Sequence, residues 1–373
     1  MVKNTIVSFG ARSKHFGKLK DNVNLTYKYF ANIDLADPFF DSLKADYAEF
    51  SHWFAKKAAA GDAAYVFYDD AGAIDGFLYL KIEDDAVLDT VPPLPAARRV
   101  KVGTLKINAH GTKLGERFVK KIFDHAILEG VAEVYVTVFS EHAGLIALLS
   151  RYGFFSVSTK TTPNGVEQVL VKRMRDLGAS ALQRYPLVHV NGQSIYLLSL
   201  MPMWHSRLLP DSILNNEDAN IVQDISHTNS IHKVYLAAMP GVQALVPGDI
   251  LLIYRMTDHQ GPARYRSVAT SVCVVEEYRH INSFASQGEF VDYCRPYSVF
   301  NAVELADFWN SRRYPYVFRF TYNLALPRRV TRGTMIDECG LDENAYFGLL
   351  RLTPQQFHDI VSRGQVNENL IIY

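Results

Sequence analysis

The sequence predicts two domains, an α/β domain with a mixed central sheet flanked by helices, followed by a mainly-β barrel. Three observations carry this. The chain of 373 residues is longer than one ordinary hydrophobic core. Up to about residue 180, strand and helix patterns alternate. Beyond residue 187, short β-rich runs replace them.

Taken in order, residues 37–59 read as an amphipathic helix, because Phe40, Leu43, Tyr47, Phe50 and Phe54 recur at steps of three and four. Two strands follow, Ala64–Tyr68 and Phe77–Ile82, separated by a turn rich in Asp and Gly. After the Pro-rich loop VPPLPAARR comes a strand over Val100–Ile107. The turn AHGTKLGE then opens a helix reaching about Leu128, with Leu114, Phe118, Ile122 and Ala126 on its buried stripe. Glu133–Phe139 alternates as a strand, and a helix over 142–152 ends at Gly153, which suits a left-handed cap. Phe155–Thr159 and Gln168–Lys172 flank the turn TPNG. The order is strand, helix, three strands, helix, strand, helix and two strands, with the domain spanning 1–180.

Residues 187–373 form the second domain. Its expected strands are Ile195–Leu200, Lys233–Ala238, Ile250–Tyr254, Val268–Glu276 and Tyr316–Phe320. Short strands at this spacing fit a small barrel. Helical patterns remain at 302–311 and 353–363, the latter with Thr353 as cap and Pro354 in its first turn. The stretch 201–212 reads as a connector with Asp211 as a helix cap.

Composition narrows the function. Hydrophobic residues make up 48% and charged residues 21%, as in a packed globular protein. Lys and Arg balance Asp and Glu at 39 each, so the net charge is zero and nothing in the whole-chain balance marks a nucleic-acid binder. Cys273, Cys294 and Cys339 form no CxxC pair, which argues against a structural zinc site or a disulfide framework and favours a reducing compartment. The first residues lack the apolar run of a signal peptide, and no stretch approaches the roughly 20 apolar residues that span a bilayer. The expectation is a soluble cytoplasmic protein with no metal and no membrane partner.

The chemistry concentrates in LKINAHGTKLGERFVKKIFDHA, residues 105–126, where a strand enters a glycine-containing loop that opens a helix. Backbone N–H groups at a helix start are unpaired and the helix dipole favours negative charge, so such a turn suits a pyrophosphate. Gly111 and Gly115 would let the backbone approach phosphates, and Lys113 would add a positive charge.

This segment resembles the acetyl-CoA signature of the GNAT acyltransferases, with His110 at the usual Arg/Gln position, Lys113 at the first glycine and Gly115 at the second. HAGLIALLSRYGF, residues 142–154, resembles the family segment Asn-x-x-Ala-x-x-Leu-Tyr-x-x-x-Gly-Phe. Leu148, Gly153 and Phe154 match, while His142 replaces the asparagine and Leu149 the tyrosine often cast as general acid. The resemblance covers residues 1–180. It implies acetyl-CoA as cofactor, held by Ile107, Asn108, Ala109, Gly111, Thr112, Lys113, Leu114, Gly115 and Glu116. The tetrahedral oxyanion would be held by a backbone N–H near Ile107–Ala109. A base is needed to deprotonate the acceptor ammonium; Glu83, at a strand end, and His142 are the candidates, against the plainer reading of solvated charges.

Residues 227–256, followed by SVATSVCVVEEY, resemble the PUA-like barrels of the ASCH and EVE groups, although the ASCH signature Gly-x-Lys-x-x-x-Glu-x-Arg is absent. That resemblance implies RNA or another nucleic acid as partner, bound by stacking and base-edge contacts. His227, Thr228, Lys233, Tyr254 and Arg255 are the candidate pocket, with Trp204, Trp309, Arg312 and Arg313 as further options. Three functions follow: an N-acetyltransferase acting on an amine, including one carried by RNA or tRNA in a toxin-like role; a non-enzymatic reader of modified nucleic acid; and a protein or small-molecule acetyltransferase.

Overall fold

The computed structural model describes residues 25–69, 71–108, 113–209 and 230–373. The first domain runs β1 (Leu25–Tyr29), α1 (Asp41–Asp46), α2 (Phe50–Ala59), β2 (Ala63–Tyr68), β3 (Ile74–Glu83), β4 (Arg99–Ile107), α3 (Leu114–Leu128), β5 (Glu133–Phe139), α4 (Ala143–Arg151), β6 (Phe155–Thr162), β7 (Gly165–Arg173) and α5 (Ala181–Arg184). Its sheet has the order β1-β2-β3-β4-β5-β7-β6. β4 and β5 pair in parallel and their other neighbours are antiparallel, so this is a mixed sheet.

α3 places Leu114, Phe118, Ile122 and Ala126 in the core, as their spacing predicts. The helix expected over 37–59 is instead two helices. Phe40, Leu43, Phe50 and Phe54 are buried together, but Tyr47 leaves the helical path with φ −131° and ψ 100°. Its ring stacks on Phe139, 5.3 Å between centroids, and its hydroxyl donates to Glu167 at 3.1 Å. These tertiary contacts outweigh local periodicity and break the helix.

The second domain runs β8 (Val188–His189), β9 (Ile195–Leu200), α6 (Pro202–Leu208), β10 (His232–Ala237), β11 (Ile250–Arg255), α7 (Ala263–Arg266), β12 (Val268–His280), α8 (Gln287–Cys294), α9 (Ala302–Ser311), β13 (Tyr316–Thr331), α10 (Arg332–Cys339), β14 (Leu349–Leu352), α11 (Pro354–Arg363) and β15 (Ile371–Ile372). Six strands form one sheet in the order β10-β13-β12-β11-β9-β14. Its bulged long strands, β12 and β13, curl it. Just past β10, Gly241 lies so near β14 that an added Cβ would stand 3.3 Å from Leu349. Apolar cores cover both faces of the sheet. Capping boxes start α9 at Asn301 and α11 at Thr353. The fold class is thus an α/β domain followed by a mainly-β domain.

The two domains share buried surface. Tyr185 and Ile231 belong to the core of the first domain. Among the described residues no helix is long and apolar enough to cross a membrane, and the three cysteines are free and buried.

Candidate acyl-donor and acceptor cleft

The cleft originates in one residue of β4. Tyr79 pairs with Thr104 and Leu80 with Val102, so Gly103 has no opposite number in β3 and forms a bulge. A Cβ on Gly103 would lie 2.7 Å from the Tyr79 ring, which explains the glycine. The strand bends at this point. β4 and β5 are paired over Arg99–Val102 and Glu133–Val136, and past Val102 they part. The backbone of Gly103–Ile107 therefore faces an opening on its β5 side.

Two cavities occupy that opening. The larger, about 650 Å³, is framed by Leu105–Asn108 of the bent strand and its end, by Lys113–Gly115 at the start of α3, and by Glu141–Leu145 at the start of α4. The first N–H groups of α3 have no intrahelical acceptor. The smaller, about 330 Å³, lies towards α1, α2 and the β6–β7 hairpin. Leu43, Leu105, His142 and Leu145 line both, so the cavities meet where the strands separate.

The expected donor-site residues divide. Ile107, Asn108, Lys113, Leu114 and Gly115 line the larger cavity. Ala109, Gly111 and Thr112, with His110, lie outside the described residues. Lys113 caps α3 in the left-handed conformation, φ 61°, which is uncommon for a side chain larger than glycine. Its ammonium stands 5.6 Å from the Tyr297 ring of the second domain. Gly115 faces α4: an added Cβ would meet Leu148 Cδ2 at 2.7 Å, so its smallness serves helix packing. Glu116 is buried and turned to the second domain, accepting from the Tyr297 hydroxyl at 3.1 Å and lying 3.5 Å from the Arg151 guanidinium.

His142 precedes α4 and borders both cavities, with Nε2 4.0 Å from Asp46 Oδ2. Glu83 sits at the far end of β3, bonded by the Tyr135 hydroxyl and paired with Lys81 at 2.7 Å and Lys101 at 3.8 Å. Burial alone would raise its carboxyl, but Lys81, Tyr135 and Lys101 together hold it below the usual carboxylate range. Leu149 and Tyr152 are fully buried. The Tyr152 hydroxyl points at His232, away from the cleft.

Sequence reasoning missed Glu167 on β7. It is 4% exposed and lines the smaller cavity, with Tyr47 and Thr137 donating to the same oxygen, Oε1, at 3.1 and 3.3 Å. Burial, then the Glu167 charge, pushes the Tyr47 phenol well above its ordinary range, so it remains a donor. Alternation along β7 placed Glu167 on one face with Val169 and Val171, a charged residue in an inward register, and that was the available signal.

Of the second-domain candidates, His227 and Thr228 lie outside the described residues. Lys233, Tyr254 and Arg255 are all buried. Tyr254 alone of these borders a cavity of about 370 Å³, whose wall includes Tyr235, Tyr314, Arg332, Tyr346 and Phe347. Lys233 instead faces the Tyr322 ring at 6.0 Å, and Arg255 donates to the Met256 carbonyl at 3.3 Å. Trp204 packs on Phe300, and Arg312 stacks on Trp309 at 3.7 Å. Arg313 pairs with Asp307 at 2.8 Å. The structure does not gather these groups into one pocket.

No protein-family model matches the chain, and no curated protein does. Solved structures are similar to parts of it. Arabidopsis thaliana Naa50 in complex with a bisubstrate analogue is 18% identical, covering 40% of this chain and 99% of that one, with TM-score 0.28. A GNAT superfamily phosphinothricin acetyltransferase from Sinorhizobium meliloti in complex with AcCoA is 14% identical over 40% of this chain and 89% of that one, TM-score 0.28. A mutant of ZmASCH from Zymomonas mobilis is 9% identical over 48% of this chain and 100% of that one, TM-score 0.30.

Proposed function

We propose that the protein is an acetyl-CoA-dependent N-acetyltransferase. The observation that carries the reading is the parting of β4 and β5 at the Gly103 bulge, directly in front of the start of α3. The residues present fit a pantetheine–pyrophosphate donor. The helix start supplies N–H donors and a favourable dipole, and Lys113 adds charge. The open edge of β4 offers backbone groups to a pantetheine arm, and an N–H there would hold a developing oxyanion. The thioester supplies the acyl group; the protein binds it, aligns it and takes the acceptor's proton.

The acceptor would enter from the smaller cavity. A finer reading has the barrel recruit nucleic acid, with the amine carried by RNA; the aromatic wall around Tyr254, together with Arg332, supports it as a surface on which a planar base could stack. The burial of Leu149 and Tyr152, which leaves α4 without a hydroxyl in the cleft, favours a second reading: an acyl-CoA-binding reader without turnover.

Calorimetric titration of the full chain with acetyl-CoA tests the donor site. One-to-one binding is expected, weakened at least tenfold by Lys113→Glu. Absence of heat at millimolar acetyl-CoA would overturn it. Incubation with labelled acetyl-CoA, followed by mass spectrometry of RNA and protein, separates the two readings and identifies the class of acceptor.

A further inference from the structure

We infer that Glu167 is the acceptor site's ammonium receptor and proton acceptor, and that the acceptor is a compact primary amine on an apolar or aromatic body. The inference rests on the acetyltransferase reading above.

Glu167 is a buried carboxylate with hydrogen-bond donors and no cation. Among the described residues no Lys, Arg or His lies within ion-pair distance of it. Its cross-strand neighbour Lys160 is engaged by Asp89 at 2.7 Å. Both donors to Glu167 reach Oε1, which leaves Oε2 for a further partner. A buried carboxylate is costly unless paired, so this position is poised for a cationic ligand.

The surroundings specify the rest of that ligand. Part of the cavity wall is apolar and aromatic, formed by Phe50, Trp53, Tyr79, Val136 and Val138, and polar side chains make up the rest. Lys57 pairs with Asp62 at 3.0 Å, while Lys81 and Lys101 share Glu83 at 2.7 and 3.8 Å. The two segments framing the cavity are also joined across it. Tyr47 bonds Glu167, and Asn164 of the hairpin donates to both oxygens of Glu49 at 3.1 Å. A polymer cannot thread between them without breaking these bonds, whereas a small molecule fits.

The step balances simply. The acceptor ammonium loses a proton to Glu167, directly or through one water. The amine nitrogen then forms a C–N bond to the carbonyl carbon of an acyl thioester, the C–S bond breaks, and the nitrogen's second proton passes to the departing sulfur, which leaves as a thiol. Glu167 later passes its proton to solvent.

The test uses the full chain with phenethylamine, phenethyl alcohol as neutral isostere, and a decapeptide beginning with phenylalanine. Calorimetry should show phenethylamine binding one-to-one, at least tenfold tighter than the alcohol, and at least tenfold weaker in Glu167→Gln. With acetyl-CoA, Glu167→Gln should lower kcat/KM by about 100-fold, leaving acetyl-CoA affinity unchanged. Unchanged acetyl-CoA affinity also shows that the variant is folded. Equal binding of amine and alcohol, no binding of the amine, or an indifferent Glu167→Gln would overturn the inference. So would decapeptide turnover equal to that of phenethylamine. Loss of acetyl-CoA binding in the wild-type chain alone, with amine binding intact, would instead strike the acetyltransferase reading and leave the amine site standing.

Discussion

The Tyr152 hydroxyl at the end of α4 lies 2.9 Å from Nε2 of His232 at the start of β10, so a buried hydrogen bond joins the two domains. His232 Nδ1 is 2.5 Å from Glu276 Oε1, and Arg319 binds the other oxygen of Glu276 at 3.0 Å. A carboxylate can only accept, so Nδ1 donates to Glu276 and Nε2 is the nitrogen that pairs with the Tyr152 hydroxyl. The network continues through Glu116 and Tyr297 to the start of α3, the edge of the proposed donor site.

Tyr152→Phe keeps the ring and removes the donor. Stability of the full chain in urea should fall by ~1–3 kcal/mol, because His232 Nε2 is left buried without a partner. A double-mutant cycle with His232→Phe should give a coupling of ~0.5–3 kcal/mol. Strict additivity would show that the two side chains do not act together.

Gly103→Ala places a methyl group against the Tyr79 ring, which is buried. The expected cost is ~1–3 kcal/mol from overpacking at the bulge, with a larger loss of acetyl-transfer rate than of stability, since the bulge sets the parting of β4 and β5. A thermal melt and a thiol-release assay on the same sample check this pairing.

Gly115→Ala should be close to neutral in stability. The methyl meets the flexible end of Leu148, and alanine narrows the unfolded chain's freedom at a position of ordinary backbone conformation, a gain of ~0.4–1 kcal/mol. Adding Leu148→Ala should remove the residual clash. Acetyl-CoA affinity below the wild-type value in the folded double variant would show that the glycine serves phosphate approach as well as helix packing.

Lys172 is fully buried, and burial pushes its ammonium down to about 8, with Asp176 opposing weakly. Between pH 8 and 10.5 the unfolded chain therefore holds a proton that the folded chain has released. This lysine's contribution makes stability rise with pH across that window, by up to about 3 kcal/mol. Denaturant melts at pH 7.5 and 9.5 should show the rise in the wild-type chain and not in Lys172→Met.

Much of the fold was legible because burial follows the helical period along α3, and the apolar runs of β5 and β11 match strands buried on both faces. The exceptions share a cause. At Tyr47 a helical repeat continues through the sequence, yet a stacking contact with Phe139 and a bond to Glu167 break the helix, and both partners lie about 90 or more residues away. The strand through Gly103 was readable, and a lone glycine in a strand is a bulge signal, but its effect on the spacing of β4 and β5 appears only when the neighbouring strand is in place. The donor side of the cleft was visible as a local loop-to-helix segment. The acceptor side, assembled from α1–α2, β5 and β7, has no local signature.

Tyr185 and Ile231 complete the core of the first domain. During synthesis from the amino terminus, the α/β half leaves the ribosome with part of its apolar surface uncovered until residue 231 has emerged. Folding of the α/β half is then coupled to elongation of the half that follows, and cutting the chain near residue 180 should yield a fragment prone to self-association.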